Sequence, residues 1–471
     1  MKNILKHIDV KAVFPLFVAV AILVSCSKSD PTPGDGREDP TDTLDQGNDS
    51  LGIVNLFPDQ THQEIIGFGG ALSWWCDRIT KSSKKAEIID AIVNDLGLDV
   101  LRLKNWYYPV SYPANKTPNA METDWFIYHY DATNELYDLI KTANPDVKVL
   151  FSSWGPPSYL KSNNKLDRGT LKKTDGQFMY DEYATYWEDV LNNITFMPDY
   201  LSIQNEPTWL ADWETCEWAP AETATLPSYE IALDKVAEKL TGLANPPILV
   251  IPESANLSHG GFDAFAEKLR DNPNAGIYGY HPYNFNDNSA VPEFQATLKA
   301  LGEQFDDKPK MMTEYSGMGW MKTAQFINST LREANTAAYI YWQLMWADDA
   351  DEAMITMDAN GNYKLTKFFY LMKHYAKYID QGYRRIDLTA DETSVDQVGF
   401  ISPDQKEITL ISINPTSREI EILFQVKKET ITQIDSYQSI EDDHFTHIET
   451  TVGKKLTLEA SSVTTTVLKL Q

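Results

Sequence analysis

Two glutamates each stand immediately beyond a short apolar run. One lies in Gln204-Asn205-Glu206-Pro207, at the end of the run that starts at Tyr200, and the other in Thr313-Glu314, behind Lys310–Thr313. A single Glu in such a place is ordinarily a solvated loop residue or a helix cap. A pair is different if the fold makes the two side chains face one another. Opposed carboxylates are what cleavage of a glycosidic bond requires, with one acid protonating the leaving oxygen while the other stabilises or attacks the anomeric carbon.

The elements that would position such a pair can be read from the alternation of apolar runs and helical stretches. Eight runs read as strands: Ile65–Ala71, Val100–Leu103, Val147–Ser153, Tyr200–Gln204, Ile248–Pro252, Ile277–His281, Lys310–Thr313 and Ala338–Gln343. Helical stretches fill the spaces, at Lys84–Leu96, Asp131–Thr142, Glu182–Asn193, Tyr229–Leu240, Phe262–Arg270, Glu293–Leu301 and Ala324–Ala334, with a last one at Leu365–Ile379. Strands apolar on both faces and alternating with helices imply parallel βαβ units, and eight of them suggest an α/β chain closed into a (β/α)8 TIM barrel. An open doubly wound sheet is the alternative, although Gly67-Phe68-Gly69-Gly70 is not a dinucleotide-binding G-x-G-x-x-G. Past Asp380 the texture changes to short β-branched segments at Val395–Phe400, Glu407–Ile413, Glu419–Val426, Thr430–Asp435 and Ser462–Leu468. These predict an appended antiparallel β-sandwich. The expected domains are therefore a barrel over 65–379 and a sandwich over 380–471, with the segment 51–64, including Ile53–Phe57, supplying a strand to the sandwich. In a barrel, reactive groups gather at the C-terminal strand ends. Glu206 and Glu314 would then meet across the mouth from strands 4 and 7. Trp154, Trp209 and Trp342, at the ends of strands 3, 4 and 8, would offer flat rings to the apolar faces of sugars. Trp342 lies within a strand, so a core position is its alternative, and Trp74, Trp75 and Trp106 are weaker candidates for outer contacts.

In order along the chain, these segments resemble glycoside hydrolase family 30, within the retaining clan of (β/α)8 enzymes. The resemblance covers roughly residues 51–471. It is carried by Gln63-Glu64-Ile65-Ile66-Gly67-Phe68-Gly69-Gly70, Ser152-Ser153-Trp154-Gly155-Pro156-Pro157 with Lys161-Ser162-Asn163, Ser202-Ile203-Gln204-Asn205-Glu206-Pro207, Met312-Thr313-Glu314-Tyr315, and Gly382-Tyr383-Arg384-Arg385-Ile386 at the link to the sandwich. Asn-Glu-Pro alone is shared across the clan; the ordered combination is specific. The resemblance implies Glu206 as general acid/base and Glu314 as nucleophile. Arg102 at the end of strand 2 would favour the charged form of the nucleophile, and burial with a neighbouring carboxylate would keep the acid protonated. Asn205 is expected to hydrogen-bond the sugar 2-hydroxyl. His281 and Tyr283 resemble the family's polar pair near the nucleophile. The short loops and compact sandwich resemble the bacterial xylanase branch. Part of that branch grips a glucuronic acid through an Arg after strand 8 and Tyr residues after strand 7. Here strand 8 continues Gln343-Leu344-Met345-Trp346 and strand 7 continues Tyr315-Ser316-Gly317, a departure from that pattern. The expected substrate is β-1,4-xylan, with a β-1,6-linked glucan or galactan second; Trp74-Trp75 mildly favours the latter. A non-catalytic glycan-binding lipoprotein on the same fold is the alternative from another class.

Composition sets the outer limits. Of 471 residues, 42% are apolar and 23% charged, ordinary for a folded chain. The balance of 41 basic against 68 acidic residues, net −27, argues against a nucleic-acid partner, since phosphates are bound by clustered Lys and Arg. Lys2, Lys6 and Lys11 precede the apolar run Ala12–Val24, which is too short to span a bilayer and reads as an export signal. The run ends in Leu23-Val24-Ser25-Cys26, which resembles a bacterial lipobox with Cys26 as the lipid-bearing residue. The alternative is a plain secretory signal. Residues 27–50 hold a single large aliphatic, Leu44, and read as a disordered acidic tether. The expectation is a monomer held by lipid at the bacterial outer membrane, with no metal or cofactor. No His/Cys spacing resembles a zinc site, and whether Cys76 and Cys216 pair is left open by their separation.

Overall fold

The computed structural model describes residues 51–111, 121–258, 261–347, 350 and 352–471. The signal-like segment, Cys26 and the tether lie outside the described residues. Eight strands run Gly67–Leu72, Val100–Lys104, Lys148–Ser152, Tyr200–Ser202, Ile248–Ser254, Ile277–Tyr280, Lys310–Met312 and Thr336–Tyr341, here strands 1 to 8. Each pairs in parallel with the next, and strand 8 pairs with strand 1. The sheet is therefore a closed barrel, which excludes the open alternative.

Double-sided burial explains why the strands read as unbroken apolar runs. Ala71, Val100, Leu150, Tyr200, Val250, Ile277, Met311, Ala338 and Ile340 fill the interior. Their neighbours in sequence, such as Phe68, Leu101 and Phe151, point outward to the helices. Gly69 is required by closeness, because a Cβ there would lie 1.8 Å from the Val100 carbonyl oxygen. The glycine-rich stretch of strand 1 thus packs one strand on the next and cradles no phosphate.

The second layer is a nine-stranded sheet. Gly52–Glu64 enters it between Arg384–Ala390, with which it runs antiparallel, and Ile420–Val426, with which it runs parallel. That parallel pair departs from an all-antiparallel sandwich because the strand arrives from the other end of the chain. Glu407–Asn414 shows how the layers join: Ile408 and Leu410 enter the core of the sheet domain, while Ile411 and Ile413 enter the barrel's core. Among the described residues no helix is long and apolar enough to cross a membrane. Cys76 and Cys216 are both buried and free, so they do not pair.

Candidate active site

At the C-terminal end of the barrel, six strands deliver charged or polar groups to one point. Arg102, the third residue of strand 2, points inward with no exposed surface. Its guanidinium makes a separate bond on each edge. Nη1 donates to Glu314 Oε2 at 2.6 Å, Nη2 to Asn205 Oδ1 at 2.6 Å, and Nε to Glu253 Oε1 at 3.1 Å and Ser152 Oγ at 3.3 Å. The planar fork of arginine allows this, because its donors leave in fixed in-plane directions. Its face lies 4.8 Å from the centre of the Trp154 ring.

The two glutamates predicted from sequence come together. One carboxylate oxygen of Glu206, one of Glu314 and a His281 ring nitrogen all lie within 4.8 Å of one another. Among the described residues this is the cluster whose geometry could reach a metal ion. Glu314 accepts from Arg102 and also from the Tyr283 hydroxyl at 3.0 Å. Glu206 has His281 Nδ1 at 3.0 Å, while His281 Nε2 meets Thr313 Oγ1 at 3.1 Å.

These partners divide the protons. Burial lifts the Glu206 carboxyl to about 7, against the pull of Arg102 and with help from the charge of Glu253. The carboxylate that assists this shift is thus Glu253 on strand 5, where Glu314 was the expected neighbour. Burial raises Glu314 as well, opposed by His281 and Arg102. Glu314 receives two donated hydrogen bonds, which favour a carboxylate, so the proton resides on Glu206. Burial depresses His281 to about 4, so its ring is neutral. A neutral imidazole has one donor and one acceptor, and the Thr313 hydroxyl can serve either. His281 can therefore accept from protonated Glu206 or donate to ionised Glu206.

The backbone is bent to reach this arrangement. Glu206 and Glu253 have φ of 48° and 53°, in the left-handed region, where a non-glycine residue costs about 1–3 kcal/mol and signals a functional constraint. The Glu206 N–H donates to the Glu253 carbonyl at 2.9 Å, linking the two strained residues.

The aromatic candidates separate into groups. Trp154 is 4% exposed and packed against Arg102, so it buttresses the cation and offers little ring to solvent. Trp342, just past strand 8, and Trp74 are half-buried and meet edge to face at 5.9 Å, each beside Trp154. Trp106 is buried against Trp74. Trp75 packs on Trp346. Trp209 is 46% exposed, and its N–H donates to the Glu206 carbonyl.

Glu253 was missed in the sequence, as was Lys104, which is buried, paired with Glu214 at 2.9 Å, and set 3.8 Å from the centre of the Trp106 ring. For Glu253 a signal existed: Pro252-Glu253 lies at the C-terminal end of strand 5, the position that singled out Glu206 and Glu314. For Lys104 and Glu214 none did, since only the fold joins them.

Chemically, a protonated and an ionised carboxyl whose facing oxygens lie within 4.8 Å of each other can cleave an acetal by double displacement. Separations of about 5–5.5 Å between carboxyl groups mark retaining enzymes, and inverting pairs stand about 6.5–9.5 Å apart to admit a water.

No family model matches the chain. Among curated proteins it is similar to glucuronoxylanase XynC of Bacillus subtilis strain 168, 24% identical over 378 residues, covering 75% of this chain and 76% of that protein. Among solved structures it is similar to the glycoside hydrolase family 30 subfamily 8 xylanase Xyn30A of Clostridium acetobutylicum, with a TM-score of 0.67, 20% identity, and coverage of 88% of this chain and 99% of that one. It is also similar to the endo-β1,6-glucanase BT3312, with a TM-score of 0.68, 15% identity, and coverage of 88% and 94%. These likenesses, with the paired carboxyls at the mouth of a (β/α)8 barrel, support family 30 and make this chain an O-glycosyl hydrolase.

Proposed function

We propose that the chain is a retaining, endo-acting hydrolase of a β-linked polysaccharide, with β-1,4-xylan the leading substrate. The observation that carries this reading is the approach of Glu206 and Glu314 within 4.8 Å, with the proton on the first and Arg102 on the second. Glu206 protonates the leaving oxygen while Glu314 attacks the anomeric carbon; Glu206 then takes a proton from the water that releases the sugar. Asn205, its carbonyl oxygen held by Arg102, is left with its amide N–H groups to offer a sugar 2-hydroxyl, since among the described residues they have no hydrogen-bond acceptor. Tyr283 and Arg102 orient the nucleophile, His281 the acid. The likeness to the family 30 xylanases supports xylan.

A β-1,6-glucan or β-1,6-galactan is the second reading. Its support is the likeness to BT3312, the lack of an Arg in Gln343-Leu344-Met345-Trp346, and the way Trp74 crowds the mouth. Wild type, Glu206→Ala and Glu314→Ala compared on linear xylan, glucuronoxylan, β-1,6-glucan and β-1,6-galactan decide the matter. Products from xylan, lost in both variants, support the first reading; products from a β-1,6 polymer alone shift it to the second. Binding without products in wild type would leave a glycan-binding protein. The lipobox-like Cys26 and acidic tether support a chain lipid-anchored at the cell envelope. Partition of the exported protein into detergent, lost in Cys26→Ser, tests that.

A further inference from the structure

A third carboxylate lies directly beneath the two that flank the cleavage point. Glu253 has no exposed surface, yet it is not placed to touch a sugar. The room for it comes from Gly279 on strand 6, where a Cβ would approach Glu253 Cγ to 3.1 Å and Val250 Cγ1 to 2.6 Å. Its Oε1 accepts from Arg102 Nε at 3.1 Å and stands 4.0 Å from His281 Nε2. Its carbonyl oxygen accepts the N–H of Glu206. One residue thus touches the cation that holds Glu314, the backbone that holds Glu206 and the edge of the ring that serves Glu206.

We propose that Glu253 is a positioning residue: its carboxylate fixes the plane of Arg102, so that the two terminal nitrogens are presented to Glu314 and Asn205, and its charge sets the electrostatics felt by the acid. This rests on the hydrolase reading above. Anchoring Nε removes the rotation that a guanidinium held only at its tips would retain. A buried anion next to the cation also offsets the pull of Arg102 on Glu206, because the two charges act on that carboxyl with opposite sign. The groups facing Glu253 are Arg102 from strand 2, the Ser202 hydroxyl from strand 4, His281 beyond strand 6 and Tyr229 from the helix Tyr229–Leu240. Those facing Glu206 are Arg102, Glu253, His281, Tyr283 and Glu314. Of all these Arg102 alone is a fixed cation. It keeps Glu253 ionised against its burial, while Glu206, without such a contact, stays protonated.

Two substitutions separate reach from charge. Glu253→Gln keeps an acceptor for Nε and removes the charge; Glu253→Asp keeps the charge and withdraws it from Nε. The titration of the buried carboxyls is followed by carbon NMR in protein labelled at the glutamate carboxyl carbon, with signals assigned through Glu206→Gln and Glu314→Gln. In Glu253→Gln the Glu206 midpoint falls by about one pH unit or more, a tenfold or larger loss of proton affinity. On whichever polymer the wild type cleaves, the basic limb of the pH profile moves down with it, and kcat falls more than KM rises. In Glu253→Asp the midpoint stays and kcat falls across the whole profile. An unmoved Glu206 midpoint in Glu253→Gln overturns the proposal, as does a Glu253→Asp variant with wild-type kcat. Should neither variant fold, the wild type still decides: Glu253 must remain a carboxylate throughout the range in which Glu206 titrates near 7, and a Glu253 that takes its proton with or above Glu206 refutes it. If the wild type cleaves no polymer, the hydrolase reading fails, while the titration still judges the role of Glu253.

Discussion

Two buried histidines sit at opposite places in this molecule, and their partners set them apart. His281 lies at the barrel mouth; His374, on the helix Lys367–Ala376, lies at the seam with the nine-stranded sheet. Both have no exposed surface, and burial depresses both, His281 to about 4 and His374 to about 3. Both are bonded through each ring nitrogen. His374 meets Thr465 Oγ1 and Ser439 Oγ, each at 2.8 Å. His281 meets one hydroxyl and one carboxyl that titrates near 7. Hydroxyls rotate to suit a ring that never changes state, so the seam is a fixed joint. A carboxyl that gains and loses a proton forces its ring to change role. Burial and a displaced pKa are therefore common to structure and function, and the partner's ability to change charge tells them apart.

The largest effect that could break this contrast comes from the carboxyls. Glu314→Ala should lower hydrolysis of polymer and of an activated aryl glycoside alike, by on the order of 10^4-fold or more, because no covalent intermediate can form. Glu206→Ala should lower polymer hydrolysis by about 10^2–10^4-fold, the usual worth of a positioned acid. It should spare the first step on nitrophenyl β-xylobioside, whose leaving group needs little protonation. Equal loss on both substrates would show that Glu206 is not the acid, and the mouth would lose its distinguishing feature.

The histidines themselves come next. His281→Ala should reduce kcat on polymer by about 10^2-fold through a misplaced acid, with only a small shift in melting temperature. His374→Ala should leave kcat/KM within about twofold and lower the unfolding free energy by about 2–4 kcal/mol, since it leaves a cavity and takes one partner from each of two buried hydroxyls, which keep only their bonds to the His374 carbonyl and the Phe445 N–H. The reverse outcome, with activity lost at the seam and stability lost at the mouth, would overturn the assignment. His374 also carries a pH signature. Its folded value lies below the unfolded value of about 6.5, so the unfolded chain binds the extra proton between those limits. Its stabilising contribution is complete above pH 6.5 and is lost as the pH falls toward 3. His374→Gln should flatten that decline in a series of denaturant melts.

The contrast also explains what the sequence could reveal. The eight strands were legible because both faces of each are apolar, and the strand-end rule found Glu206, Glu314 and Arg102. The same rule reaches Glu253, which directly follows the run Ile248–Pro252, and the strand itself continues two residues past that run, to Ser254. Strand Arg384–Ala390 was not recognised because two Arg and an Asp disguise it, although it is an inner strand flanked by Gly52–Glu64 and Asp396–Ile401. Its Arg385 is accommodated by Gln63 and Asn335, partners that only the fold supplies. Trp154 was placed correctly at the end of strand 3, but no sequence pattern tells that its face is covered by Arg102.

A smaller effect sharpens the comparison on the side of stability. Glu206 has a folded value near 7, above its ordinary value near 4.5. The folded state therefore binds its proton more tightly than the unfolded chain does. The associated stability is present below pH 4.5 and is lost as the pH rises through 7. Glu206→Gln, which cannot ionise, should be more stable than wild type at pH 8 by about 2–3 kcal/mol, and the gain should vanish below pH 4.5. Chemical denaturation at pH 4 and pH 8 reads this directly. A gain of equal size at both values would mean that relief of backbone strain, with no role for charge, is responsible. The expected sign is the opposite of that for His374→Ala: the mouth gives up stability at high pH, where its buried carboxyl has lost its proton, and the seam does not.

The smallest effect concerns two tryptophans at the same rim. Trp154 is covered on its face by Arg102, whereas Trp209 is 46% exposed and tied to the acid only through its backbone N–H. Removing an exposed ring leaves folding almost untouched, and losing one stacked sugar costs about 0.5–1.5 kcal/mol. Trp209→Ala should thus raise KM on polymer about 3–10-fold, leave turnover of the short aryl glycoside unchanged, and leave the melting temperature where it was. Trp154→Ala should lower both the melting temperature and kcat on every substrate, because it removes the ring on which Arg102 rests. If Trp209→Ala instead slows the aryl glycoside as much as the polymer, the ring acts on Glu206 itself through the loop it shares with it, and the glycan does not extend over this side of the rim.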